Sequence, residues 1–321
     1  MSTAPQEPAA PRWTRPRGTA RADGWEVAIT PDGTHWHHTS LHVAHLGAGE
    51  SRRLRADGRE HVVVPLRGSV HVTAEDADGR VHQAPLAGRR DVFAAPTDIA
   101  YTAAGLRITV SAPAGPARVA VAGARVFGRG AARPPFRHLA ADEAPVERRG
   151  TGNASREVRN LGTPGVLDAD AIIVCEVVTP AGNFSSWPPH KHDTEHPGEE
   201  TRLEEIYYVE TAPADPRATD PTGYLRVRAS DPDRPIDVLA QVRAGDVVLV
   251  PHGWHGPAIA APDTHMYYLN VMAGPGPERA WLICDDPAHA WIRDTWSRTP
   301  FDPRLPLADS PGNVTPEGAG A

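Results

Sequence analysis

The sequence predicts an all-β protein made of two strand-rich units, with one short helix near its end. Proline (34) and glycine (29) are abundant among the 321 residues, and they punctuate short β-branched runs, not helical repeats. The same grammar of run and turn occurs twice, on either side of a Pro/Arg/Ala-rich stretch. Short strands with frequent turn signals mark a sandwich or barrel, because a half-buried strand needs only a few residues of alternating or continuous apolar character.

In chain order, residues 1–15 are poor in apolar residues and rich in proline, so a disordered tail is expected there. Between 16 and 130 the runs LHVAHL, EHVVVPL, SVHVTAE, LRITVSA and ARVAVAGARV read as the strands of a first unit. Residues 131–160 read as a connector. Between 161 and 300, AIIVCEVVTP, LEEIYYVET, GYLRVRAS, DVLAQVRAGDVVLVP and HMYYLNVMAG form a second unit. DPAHAWIRDTWSR sets Trp291 and Thr295 or Trp296 on related faces, which predicts the short helix. The tail from 301 to 321 ends in LADSPGNVTPEGAGA, again without the means to form a core.

A formal charge of −7 and the absence of a Lys/Arg block argue against a nucleic-acid partner and for a small molecule. No apolar run approaches the roughly 20 residues of a membrane helix, and the first residues lack a signal-peptide core, so no membrane and a cytoplasmic location are expected. Cys175 and Cys284 stand outside any CxxC pair and read as small apolar residues.

The chemistry concentrates in SSWPPHKHDTEHPGEETRLEEIYYVE, where Lys191, the sole lysine in the chain, lies between His190 and His192. On an extended segment alternate side chains share a face, so the two imidazoles are presented together and Lys191 points away from them. Glu205 opens the following strand as a third donor, and GDVVLVPHGWH supplies His255 as a fourth. Three imidazoles and a carboxylate suit Zn, Fe, Mn, Ni or Co with positions left for water or substrate.

HxH, a later Glu and G-x5-P-x-G followed by His together resemble the two cupin motifs, the signature of a small jelly-roll barrel with a central metal. The gap from His192 to Glu205 is longer than in that motif, which leaves Glu195, Glu199, Glu200 and Glu204 as rivals for the carboxylate. Glu205 is preferred because it immediately precedes the β-rich run, with Glu204 second. PPHKHD, LEEIYYV, GDVVLVPHGWH, YYLNVMAGP and DPAHAWIRDTW, in this order, are similar to the 5-deoxy-glucuronate isomerases of myo-inositol catabolism. GREHVVVPLRGSVHV and GRRDVFAAPTDIAY extend the resemblance into the first half.

The resemblance implies a bicupin, two jelly-roll barrels of which only the second holds metal. The first lacks an HxH, has Tyr101 where the second motif wants His, and keeps His61 as a lone imidazole. It also implies a uronate substrate and an aldose–ketose isomerisation, 5-deoxy-D-glucuronate to 5-dehydro-2-deoxy-D-gluconate, by proton transfer through an enediolate. One divalent ion, Zn first and Mn, Fe, Ni or Co as alternatives, would act as Lewis acid. Glu204, Tyr207, His252 and Lys191 are the candidate proton carriers, with Tyr207 on the Glu205 face. The substrate carboxylate calls for a cation, and Arg226, Arg228, Arg202 or Lys191 could supply it. Lys191 is otherwise expected to pair with an acid such as Asp193 or Glu204. A homo-oligomer is left open. The competing expectations are a 4-deoxy-5-keto-uronate isomerase and an Fe(II) cupin oxygenase.

Overall fold

Each strand run marked in the sequence pairs with a neighbour in the computed structural model, which describes residues 12–127 and 134–307. EHVVVPL and SVHVTAE merge into one strand, Arg59–Glu75, that serves two sheets. Its first half pairs with Ile99–Thr102 and Ala117–Arg125, its second with Val81–Arg89 and Arg107–Ser111. The change of partner falls at Gly68, whose φ of +75° and 2.6 Å approach of a would-be Cβ to the Pro116 carbonyl suit glycine alone.

The second half of the chain builds a seven-stranded sheet with Glu204–Pro213 and Thr264–Ala273 at its centre. A smaller sheet faces it, carrying Gly223–Arg228, Trp254–Ala260 and the two-residue strand His190–Lys191. The two sheets enclose an interior lined by Val158, Cys175, Tyr207, Leu225, Tyr268 and Met272. They face each other as in the cupin fold without being hydrogen-bonded into a closed ring.

The large sheet is buried on its other face as well. Ile206, Tyr208, Leu269 and Val271 share one core with Leu41, Val62, Tyr101 and Ala122 of the first unit. Burial on both faces explains why IIVCEVV and YYLNVMA read as continuous apolar runs instead of alternating ones. The contact is locked reciprocally by the glutamates that open the two central strands. Glu60 accepts the backbone N–H groups of Asp170, Ala171 and Ile172 at 2.8, 2.5 and 2.6 Å. Glu204 accepts those of His37, His38 and Thr39 at 3.0, 2.6 and 2.6 Å.

Three sequence expectations need correction. A disordered first tail is expected at 1–15, yet Thr14–Arg15 pairs with Val247 and Val248, because Trp13 packs against the apolar cores. Residues 1–11 lie outside the described residues, as does the end of the second tail, 308–321, while Leu305 and Leu307 are buried. The connector at 131–160 is not a linker: Phe136–Leu139 extends the first unit's sheet, and Val146–Arg149 with Arg156–Gly162 belongs to the second. Ala290–Arg298 is helical as expected but winds as a 3₁₀ helix with no fully buried residue. No helix among the described residues is long and apolar enough to cross a membrane.

Candidate metal centre

The ligand strands meet through register. His190 stands directly opposite His255 on one side and Asp285 on the other, so the Cys284–Asp285 strand and the 3₁₀ helix after it brace the HxH segment. Ring centroids are 4.4 Å apart for His190 and His255 and 4.6 Å for His192 and His255. One ligand atom from each of the three imidazoles falls within 4.8 Å of the others, the one such group of three among the described residues.

Each Nδ1 faces a backbone carbonyl: His190 that of Pro188 at 3.3 Å, His192 that of Leu203 at 3.2 Å, and His255 that of Gly253 at 3.2 Å. A carbonyl only accepts, so the proton sits on Nδ1 and the Nε2 lone pair is turned inward, the tautomer a metal ligand needs. Burial, together with the neighbouring imidazoles, holds His190 down at about 3 and His255 well below the ordinary histidine range. Glu205 lies with Oε2 at 3.1 Å from Nε2 of His192 and 3.2 Å from Nε2 of His255. The His255 Nε2 is sealed from solvent without a hydrogen-bond partner. Lone pairs facing a buried carboxylate call for positive charge between them, and a divalent cation fits this donor set.

The KduI/IolB family model matches residues 13–292. The chain belongs to the KduI/IolB family. A protein of Geobacillus kaustophilus named 5-deoxy-glucuronate isomerase is 36% identical over 281 residues, 87% of this chain and 95% of that protein. One of the same name from Bacillus subtilis strain 168 is 32% identical over 266 residues, 82% of this chain and 91% of that protein. The crystal structure of an IolB-like protein from Salmonella typhimurium LT2 superposes with a TM-score of 0.76 at 34% identity, covering 88% of this chain and 99% of that one. An oxalate decarboxylase from Lactobacillus farciminis reaches a TM-score of 0.57 at 11% identity over 87% of this chain and 90% of its own, a likeness of fold alone.

In this KduI/IolB protein the rivals for the carboxylate position separate cleanly. Glu195 accepts the Arg202 N–H, and Glu200 accepts from Lys191 and from the N–H groups of Asp193 and Thr194. Glu199 is exposed. Glu204 is spent on the first unit's backbone and, one residue from Glu205, faces away from the imidazoles, which removes it as a proton carrier. Glu204→Ala is expected to leave metal content unchanged while costing about 2 kcal/mol, since it orphans buried N–H groups. Metal analysis beside a denaturant titration checks both halves of that expectation.

Lys191 is not brought to the triad either. Its ammonium sits 2.9 Å from Asp193 and 2.6 Å from Glu200, under the Trp254 ring, so its acidic partners are Asp193 and Glu200 and not Glu204. His252 lies near Arg234 and Asp193, where burial lowers it below the usual histidine range, and it is not one of the three grouped imidazoles. Arg226 alternates with the inward Leu225 and Val227, so it points outward and pairs with Asp237. Arg228 pairs with Asp286, and Arg202 is exposed. None of these three reaches the interior beside the triad.

Of the four expected proton carriers only Tyr207 shares the site, its ring 6.3 Å from that of His255. Its hydroxyl lies 3.3 Å from Ser186 Oγ, which lies 3.2 Å from the Tyr268 hydroxyl. Ser186 holds a left-handed φ of +48°, an unusual conformation for a side-chain-bearing residue that sets its Oγ between the two phenols. Sequence reasoning missed Ser186 and Tyr268. Period two from Tyr207 across the paired strand could have found Tyr268, but nothing local marks Ser186.

Proposed function

We propose that the chain is a 5-deoxy-glucuronate isomerase, converting 5-deoxy-D-glucuronate to 5-dehydro-2-deoxy-D-gluconate, with a divalent metal held by His190, His192, His255 and Glu205. The observation that carries this reading is the set of three inward Nε2 lone pairs, each fixed by a carbonyl at Nδ1, in a KduI/IolB chain. When bound, the ion would act as a Lewis acid toward the substrate's carbonyl and neighbouring hydroxyl oxygens.

The reaction moves hydrogen within one molecule. A proton leaves the carbon bearing the hydroxyl, one is returned to the aldehyde carbon, and the two oxygens exchange hydroxyl and carbonyl character. The protein's part is to position those oxygens and to handle protons between them. Burial pushes the Tyr207 phenol far above its ordinary range and Tyr268 to about 12, so both stay protonated and act as donors. The Tyr207, Ser186 and Tyr268 hydroxyls form a chain along which a proton can pass without entering water. Glu205 completes the ligand set from the same strand face as Tyr207.

Metal-replete protein incubated with 5-deoxy-glucuronate in D₂O and followed by NMR is expected to give the ketone with deuterium at the former aldehyde carbon. Oxygen uptake should stay at background. Failure to form ketone would remove the isomerase reading, and stoichiometric oxygen consumption would replace it with an oxygenase.

A further inference from the structure

We propose that Arg156 holds the substrate carboxylate, making the pocket selective for acidic over neutral sugars of the same length. Arg156 opens the Arg156–Gly162 strand and shares its face with Val158, which lines the interior between the two sheets of the second unit. Only 8% of it is exposed. Its partners set it apart from the other buried and half-buried arginines. Arg89 and Arg159 are matched by Glu176 and Glu157, and Arg279 donates to the carbonyls of Gly162, Leu167 and Ile172. Arg156 uses only Nη1, on the carbonyls of Ala154 at 3.0 Å and Trp187 at 3.3 Å. Among the described residues, Nε and Nη2 make no hydrogen bond and no carboxylate pairs with the guanidinium.

A buried cation without a counter-ion is costly, and here burial pushes the group down to about 10. The cost is placed where a ligand can offset it. The Trp187 carbonyl that anchors Nη1 is on the segment leading directly into His190, whose Nδ1 meets the next carbonyl, that of Pro188. The charge of Arg156 is felt by His190, Tyr207 and Tyr268. The Trp296 ring covers it at 5.7 Å, and Arg293 lies over the same ring at 4.9 Å, already engaged with Asp285. A carboxylate bound beside the Trp187–His190 segment would find one guanidinium edge free, whose fork matches its two oxygens.

The inference rests on the isomerase reading for the identity of the acid, and the test separates the two. The probes are 5-deoxy-glucuronate, its borohydride-reduced C1 alcohol, which keeps the carboxylate but cannot isomerise, and the neutral sugar with hydroxymethyl in place of carboxylate. For Arg156→Met, KM for 5-deoxy-glucuronate is expected to rise about a hundredfold, with the loss falling on KM more than on kcat. Calorimetric affinity for the reduced acid should fall by about the same factor, and affinity for the neutral sugar should not change. Arg156→Lys, which keeps the charge, should recover part of the acid binding and covers the case in which Arg156→Met does not fold. An equal loss for acid and neutral ligand, or no loss for the acid, would overturn the assignment. Should wild-type protein bind the reduced acid but fail to isomerise the substrate, the function reading falls while the Arg156 result still stands on binding.

Discussion

Replacing His255 with alanine is expected to release the metal and lower kcat/KM about a thousandfold, the effect of losing a Lewis acid worth roughly 4 kcal/mol in the transition state. His255 is the central imidazole of the three, within 4.4 Å of His190 and 4.6 Å of His192 by ring centroid. Its Nε2 is buried and finds no hydrogen-bond partner among the described residues. Removing it leaves two imidazoles and one carboxylate on strands no longer joined at their centre. Metal content by elemental analysis, set beside initial rates on the same preparation, checks the result. Retention of both metal and activity would sink the ligand assignment, whereas loss of activity with full metal content would move His255 from ligand to substrate contact.

The second large effect concerns the junction between the units. Glu176 is fully buried and accepts from Arg89, from the Tyr267 hydroxyl at 2.6 Å, and lies 3.6 Å from Arg159. Burial alone would raise this carboxyl, but the two guanidinium groups more than reverse it, and the group is held below the ordinary glutamate range. Glu176→Ala would leave Arg89 without its carboxylate in a dry interior, while Arg159 keeps Glu157 at 2.7 Å, and the expected loss is about 4 kcal/mol of folding free energy. A denaturant titration reads it as a large drop in the unfolding midpoint. Because Glu176 alternates with Cys175 and Val177, which face the interior that holds the imidazoles, protein folded at low temperature should keep its metal. Metal loss in step with the lost stability would show that the junction and the site are one structural unit.

Strand positions and the shared face of His190 and His192 were legible for one reason: both depend on spacing of two along the chain, whereas Glu205 and His255 were candidates from their place beside strand runs. HxH puts His190 and His192 on one face wherever the segment goes, and an apolar run after Glu205 announces the strand that carries it. The other assignments depended on partners far away in sequence. Glu204, second to Glu205 for the carboxylate and a candidate proton carrier by sequence, has both its oxygens engaged by the backbone of His37 to Thr39. Arg226 and Arg156 are each followed two positions on by another residue of the same strand face, and only packing put one outward and the other against the Trp187 carbonyl.

Lys191 shows the same division. Period two along HKH aims it away from the imidazoles, but its cage of Asp193 and Glu200 forms through a loop that returns nine residues later. The amino-acid order by itself determined the β class, the strand runs and the shared face of His190 and His192, because these are local consequences of side-chain alternation. The tertiary structure alone decided that the two units share a core, that Thr14–Arg15 completes the distant sheet, and which buried charges are matched. Those outcomes turn on desolvation and on partners supplied from elsewhere in the chain, which no local pattern encodes.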